Sequence, residues 1–205
     1  MGCAVKIKQE ELARDMAACG RSLAAPESTR FADEGAHDPT ASHYFVLEKL
    51  FAYLDLSEDS HLLDVGCGAG RVLTYFAQAG CPGKVTGVEL DPALATNAQQ
   101  VAAAYPQARV KQGSVLDVDL SEFTCFYLFN PFDTYVLLQF LDKLEREGVR
   151  SEEQPIVLVH MSDNGENYNY MGRPGWSLKA EGWIHQHEGL PVFDHSQHWS
   201  VWELR

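Results

Sequence analysis

Three short segments of this chain combine residue types that could do chemistry. The first is Leu63-Asp64-Val65-Gly66-Cys67-Gly68-Ala69-Gly70-Arg71. Its three glycines let the backbone turn sharply and approach a ligand closely. A helix following them would offer free N–H groups and the positive end of its dipole. The spacing is GxGxG and not the GxGxxG of the dinucleotide fingerprint. Asp64 stands just before the first glycine, where a carboxylate suits a ligand bearing an ammonium group and would repel a diphosphate. The second segment, Val85-Thr86-Gly87-Val88-Glu89, ends in an acid about 20 residues past the loop, the place from which an acid accepts hydrogen bonds from ribose hydroxyls. The third, Asn130-Pro131-Phe132, joins an amide, a rigid turn and an aromatic ring.

These residues need a scaffold, and the pattern around them supplies one. Residues 10–18 read as a short helix, and 20–40 as irregular chain rich in small and turn-forming residues. Residues 41–54 carry Tyr44, Leu47, Phe51 and Leu54 at helical spacing. A regular alternation follows: strands at 62–65, 84–90, 108–112, 123–129 and 156–161, and helices at 71–79, 92–105 and 135–146. Pro92 suits the first turn of its helix. The strand at 123–129 is apolar on both faces, as a central parallel strand should be. Residues 162–182 read as loop, and segments near 182–187 and 198–204 as a closing antiparallel pair. Alternation of this kind predicts an α/β fold, a doubly wound and mostly parallel sheet with helices on both faces. Its ligand belongs beyond the carboxyl ends of the strands, where the strand order reverses. We divide the chain into an N-terminal helix and lid-like segment, 1–40, and one domain, 41–205.

Composition narrows the function. The 205 residues carry 16 basic and 29 acidic side chains, a net charge of −13. That balance counts against nucleic acid and against an anionic membrane surface as partners. The five cysteines, Cys3, Cys19, Cys67, Cys81 and Cys125, form no CxxC pair. They read as reduced thiols of a cytoplasmic protein, not as a disulfide framework or a zinc site. The first 18 residues mix charges into their apolar positions, unlike a signal peptide, and no stretch approaches the roughly 18 apolar residues of a membrane span.

With the glycine loop, its strand–turn–helix setting and Glu89 together, the sequence resembles the class I, seven-strand S-adenosylmethionine-dependent methyltransferases. Asp64 to Gly70 matches the first motif of that family, Gly87-Val88-Glu89-Leu90-Asp91 the second, and Val110 to Val115 the third. The resemblance spans residues 41–161 and implies S-adenosyl-L-methionine as cofactor; the residues themselves offer no metal site, and the acceptor is expected to be a small molecule or a protein side chain. By position it implies that Asp64, Gly66, Cys67, Gly68 and Gly70 hold the methionine end, Glu89 the ribose, and Leu90 and Val115 the adenine. Ser114 stands where the family places an acid beside the adenine amino group. An oxidoreductase using a nicotinamide fits poorly, because of the GxGxG spacing and Asp64. A non-catalytic binding module with the same fold stays open as an alternative.

Asn130-Pro131-Phe132 sits where the family places its catalytic motif. It resembles the Asn-Pro-Pro-aromatic turn of enzymes that methylate planar amino nitrogens, without the second proline. In that reading Asn130 and a backbone carbonyl accept from the target NH₂, Phe132 stacks on its plane, and Asn130 also borders the cofactor. A second resemblance, to seven-strand histone lysine methyltransferases, places 37–40 as a loop over the cofactor. Residues 20–44 are accordingly expected to cover it, with Thr40 and Tyr44 as candidate contacts. Asp91 and Asp133 read as helix caps. His160 is a candidate base at a strand end. Five of the eight histidines, His160, His185, His187, His195 and His198, fall in the C-terminal third; His185 and His187, two apart, read as a solvated strand face more than as a metal pair, and Trp176, Trp183, Trp199 and Trp202 as core residues of the closing pair.

Overall fold

The computed structural model describes residues 2–25, 28–162, 164–187, 190–191 and 196–205. Helices α1 (Gly2–Cys19) and α2 (Tyr44–Phe51) lead into β1 (His61–Val65), α3 (Arg71–Gln78), β2 (Lys84–Glu89), α4 (Pro92–Ala102) and β3 (Ala108–Gln112). Next come β4 (Cys125–Phe129), α5 (Thr134–Glu147), β5 (Ile156–Ser162), β6 (Trp176–Ile184), β7 (Gln186–His187), β8 (Leu190–Pro191) and β9 (Gln197–Leu204). Seven strands form one sheet in the order β3-β2-β1-β4-β5-β9-β6, with β9 antiparallel to both its neighbours. The order reverses between β1 and β4. The chain therefore leaves β1 and β4 at a shared crevice, with Val65 opposite Val88 and Leu128.

The two-residue period of the strands divides the core. Leu62, Val85, Tyr127 and Val159 face Leu47 and Leu50 of α2, Leu73 and Phe76 of α3, and Ala98 of α4. Leu63, Phe126, Leu128 and Leu158 face Leu137, Phe140, Leu141 and Leu144 of α5. Every residue of β5 is buried, as a strand covered on both faces requires.

Three expectations change. The first helix runs from Gly2 to Cys19, further than residues 10–18. It is anchored through Glu11 and Asp15, which share a face one turn apart and meet the buried guanidinium of Arg71. Arg71 donates to Glu11 Oε2 at 2.8 Å and to Asp15 at 2.7 and 3.1 Å. Tyr44 does not reach the cofactor side: its hydroxyl donates to Asp15 at 2.8 Å, and burial, then Asp15, pushes its pKa above the usual range. The closing pair is longer than expected, because β6 begins at Trp176 and not near residue 182. As an edge strand with a register shift between Leu178 and Ala180, it is mostly exposed and lacks the apolar alternation of an inner strand. His187 belongs to the separate two-strand ribbon of β7 and β8.

Candidate active site

The glycine turn after β1 is built by backbone bonds to β2. The N–H groups of Gly66 and Cys67 both donate to the Val88 carbonyl, at 2.9 and 3.0 Å. Gly66 has φ +74°, and a Cβ there would lie 2.9 Å from Pro131 Cβ. The first motif thus packs directly on the third segment. Gly87 is needed for a different reason: its added Cβ would fall 2.5 Å from Cys67 Sγ. Gly68, at φ +54°, has only open space where a Cβ would project. Gly70, at φ +95°, caps α3 and packs on Ala98.

A cleft runs from this turn to the ends of β2, β3 and β4. It brings together Asp64, Gly66, Cys67, Gly68, Glu89, Leu90, Ser114, Val115, Asn130, Pro131 and Phe132. Gly70, the remaining residue of the first motif, stays outside the lining, where its role is to start α3. Asp64 is buried, and its Oδ2 has no hydrogen-bond partner among the described residues. Burial, then Glu89, raises its pKa well above the carboxylate range. Glu89 accepts from the N–H groups of Gly68 and Asp91, at 2.8 and 2.9 Å, and its pKa is raised by burial. A ligand with an ammonium group would give Asp64 Oδ2 the partner it lacks, and hydroxyls could share Glu89. The residues therefore fit the two polar ends of S-adenosylmethionine.

Ser114 lines the cleft while its Oγ accepts from the N–H of Leu116 at 3.2 Å, capping a short 3₁₀ turn. The Phe132 ring also packs on Phe140, 6.2 Å between centroids, so it is shared with the core. Asp91 and Asp133 cap α4 and α5.

Residues 28–42 contribute one wall, including His37, Asp38, Pro39 and Thr40. The wall is tied across the cleft to the third segment. The His37 N–H donates to the Pro131 carbonyl at 3.2 Å, and the Asp133 N–H to the Gly35 carbonyl at 2.8 Å. Arg30 also pairs with Asp91 at 3.0 Å. Asn130 has φ +45°, a left-handed conformation that costs a non-glycine residue energy. Its Oδ1 lies 3.1 Å from His37 Nδ1 and 3.3 Å from Ser162 Oγ. Sequence reasoning missed both partners, which lie 93 and 32 positions away along the chain, although asparagine is among the residue types enriched in the left-handed region.

The C-terminal aromatic residues lie elsewhere. His160 is not a base in the cleft: it is fully buried, bonded through Nδ1 to the Tyr170 hydroxyl, and burial lowers its pKa to about 3. Trp199 and Trp202 are core residues, Trp176 donates to Glu145, and Trp183 is half-exposed, stacked near His185 and His198. His185 pairs with Ser196 and His187 stacks on Phe45. His195 lies outside the described residues. No group of His, Cys, Asp and Glu able to hold a metal occurs among the described residues, and none of the described helices is long and apolar enough to cross a membrane.

Comparison with known proteins agrees with this fold. Residues 62–147 match the family model described as a methyltransferase domain. A 60-residue stretch is 43% identical to the tRNA1(Val) (adenine(37)-N6)-methyltransferase of Dickeya chrysanthemi, covering 29% of this chain and 24% of that one. The match thus spans about a quarter of that relative's length. Among solved structures, an RNA methyltransferase from Salinibacter ruber in complex with S-adenosyl-L-homocysteine superposes with a TM-score of 0.58 at 21% identity, over 81% of this chain and 93% of that one. Magnesium protoporphyrin IX methyltransferase from Synechocystis PCC 6803, with bound S-adenosylmethionine, gives 0.61 at 15% identity over 80% of each chain. The fold is the Rossmann-like fold of the class I enzymes.

Proposed function

We propose that this chain, which carries an S-adenosylmethionine-dependent methyltransferase domain of the class I fold over residues 62–147, methylates a small molecule or a protein side chain. The observation that carries the cofactor reading is Asp64 Oδ2, a buried carboxylate oxygen without a partner among the described residues, at the foot of the glycine turn. Asp64, with Gly66, Cys67 and Gly68, would hold the methionine end and Glu89 the ribose. Leu90, Ser114 and Val115 would border the adenine. Gly70 acts at one remove, by starting α3. S-adenosylmethionine supplies a methyl group already activated on sulfonium, so the protein's task is to place the nucleophile and exclude water. Asn130, Pro131 and Phe132 would border that nucleophile, with residues 1–40 serving as helix and lid for the domain 41–205. Cys19, Cys67, Cys81 and Cys125 are free thiols, which suits a cytoplasmic place.

The acceptor reading rests on charge and on the third segment. A net charge of −13 repels a polyanion. The Pro131 carbonyl and Asn130 Oδ1 are already engaged by His37, which disfavours a clamp on a planar amino group. A second reading, RNA, is favoured by the 43% identity with the tRNA-modifying relative over 60 residues. Charge alone therefore does not set nucleic acid aside. Labelled S-adenosylmethionine, offered with a small-amine and hydroxyl panel, with cellular protein and with total RNA, separates the two. Label in the small-molecule or protein fraction is expected; label confined to RNA would replace the first reading with the second. Calorimetry with S-adenosylhomocysteine tests the cofactor site by itself.

A further inference from the structure

We propose that His37 is the general base of the transfer, an inference that rests on the methyltransferase reading above. Its Nδ1 lies 3.1 Å from Asn130 Oδ1. An amide oxygen only accepts, so the shared hydrogen is on Nδ1 and the lone pair is on Nε2. Nε2 has no hydrogen-bond partner among the described residues, and His37 lines the cleft wall beside the third segment. This is the arrangement by which an amide or carboxylate orients an imidazole toward a proton it will take.

The segment that carries the ring is tied to the third segment. The His37 backbone donates to Pro131, and Ala36 pairs with Phe132 in an isolated antiparallel bridge. Gly35, at φ +84°, lets the segment pass: a Cβ there would fall 2.7 Å from Val136. Asn130 is fixed in turn, its N–H donating to the Met161 carbonyl at 2.8 Å and its Oδ1 facing Ser162 Oγ. Asn130 makes this contact from a left-handed φ of +45°. The imidazole interacts electrostatically with Glu166 and His160; Asp133 acts on Glu166 and lies close to Gly35, and Glu34 and Asp38 of its own segment line the same cleft. Glu166 is buried, and its Oε2 has no hydrogen-bond partner among the described residues, so an imidazolium formed at His37 faces a carboxyl group and not bare apolar wall.

In the transfer, the acceptor's nitrogen or oxygen forms a bond to the methyl carbon as the carbon–sulfur bond breaks. The bonding pair stays on sulfur, giving S-adenosylhomocysteine. The proton leaving the acceptor goes to His37 Nε2 and from there to solvent.

Two measurements test this. In ¹⁵N-labelled protein with S-adenosylhomocysteine, two-bond ring correlations, assigned by comparison with His37→Gln, should show His37 protonated on Nδ1 and bare on Nε2 at neutral and mildly alkaline pH. The opposite tautomer overturns the proposal. Binding of S-adenosylhomocysteine to the same sample reports separately on the cofactor reading, and the tautomer of free protein is readable even if that fails. With the acceptor that the labelling screen returns, His37→Gln should lower kcat about 10²-fold or more, keep S-adenosylmethionine affinity within about twofold, and abolish the acidic limb of the pH–kcat profile. Unchanged kcat overturns the proposal.

Discussion

Arg71 and Asp15, separated by 56 positions in the chain, form a bidentate ion pair with nitrogen–oxygen distances of 2.7 and 3.1 Å, buried between α1 and α3. Arg71 directly follows the glycine turn, so the N-terminal helix is fastened to the first residue of the helix that the turn initiates. Glu11 shares the same guanidinium, and Tyr44 and the Leu23 N–H share Asp15. The segment leading into the cleft wall is therefore tied down at its start.

Removing one partner from such a network leaves an uncompensated buried charge, which costs about 3–5 kcal/mol. Asp15→Ala should lower the free energy of urea unfolding by that amount. The exposed Arg14–Glu48 pair provides the contrast, and Glu48→Ala should cost less than about 1 kcal/mol. Equal losses would show that the buried pair has no special weight.

Asp64 is expected to trade stability for binding. Its folded pKa is raised by burial, and then by Glu89, so its favourable contribution is complete below the unfolded carboxylate pKa and is lost as pH rises through the folded one. Asparagine never ionises. Asp64→Asn should therefore melt higher at neutral pH, by about 2–4 °C per kcal/mol for a chain of this size, and bind S-adenosylhomocysteine at least tenfold more weakly. In the parent, the ligand's ammonium favours the carboxylate, so binding should release protons and strengthen with rising pH. Calorimetry in buffers of different ionisation enthalpy reads that release, which Asp64→Asn should abolish.

Glu89→Ala should reduce S-adenosylhomocysteine binding severely with the circular dichroism spectrum of the fold retained. Glu89 is also the acceptor for the Gly68 and Asp91 N–H groups, so Glu89→Gln, which keeps one acceptor oxygen, should fall between the two. Parent-like affinity in Glu89→Ala would remove it from the ribose site.

His160 sets an acid limit on the fold. Its folded pKa is about 3, lowered by burial, against about 6.5 when unfolded. Between those values the unfolded chain binds the extra proton, so stability falls as pH drops through that window, approaching about 1.4 kcal/mol per pH unit from this one group. Urea titrations at steps from pH 7 to pH 4 should show a shallower slope in His160→Gln. The same slope in both proteins would assign the acid sensitivity elsewhere.

The sequence by itself determined the scaffold and the end of the cleft that we propose for the cofactor. Strand and helix periods, the positive-φ glycines and the acid closing β2 are local signals, each readable within a few residues of where it acts. A GxGxG turn between an apolar strand and a helix leaves the backbone few alternatives. The caps at Asp91 and Asp133 are legible for the same reason. What only the tertiary structure decided are the meetings between distant segments. Asp15 finds Arg71 56 positions away, and His37 finds Asn130 93 positions away. A carboxylate on a polar helix looks like ordinary surface until packing buries it, as it does Asp15, and nothing in the loop around His37 names the side chain its ring will meet. The edge strand β6 is decided in the same way, since its hydrogen bonds come from β9 and not from any pattern of its own. Burial and hydrogen bonding depend on what the rest of the chain places nearby, and that information is not held in local spacing.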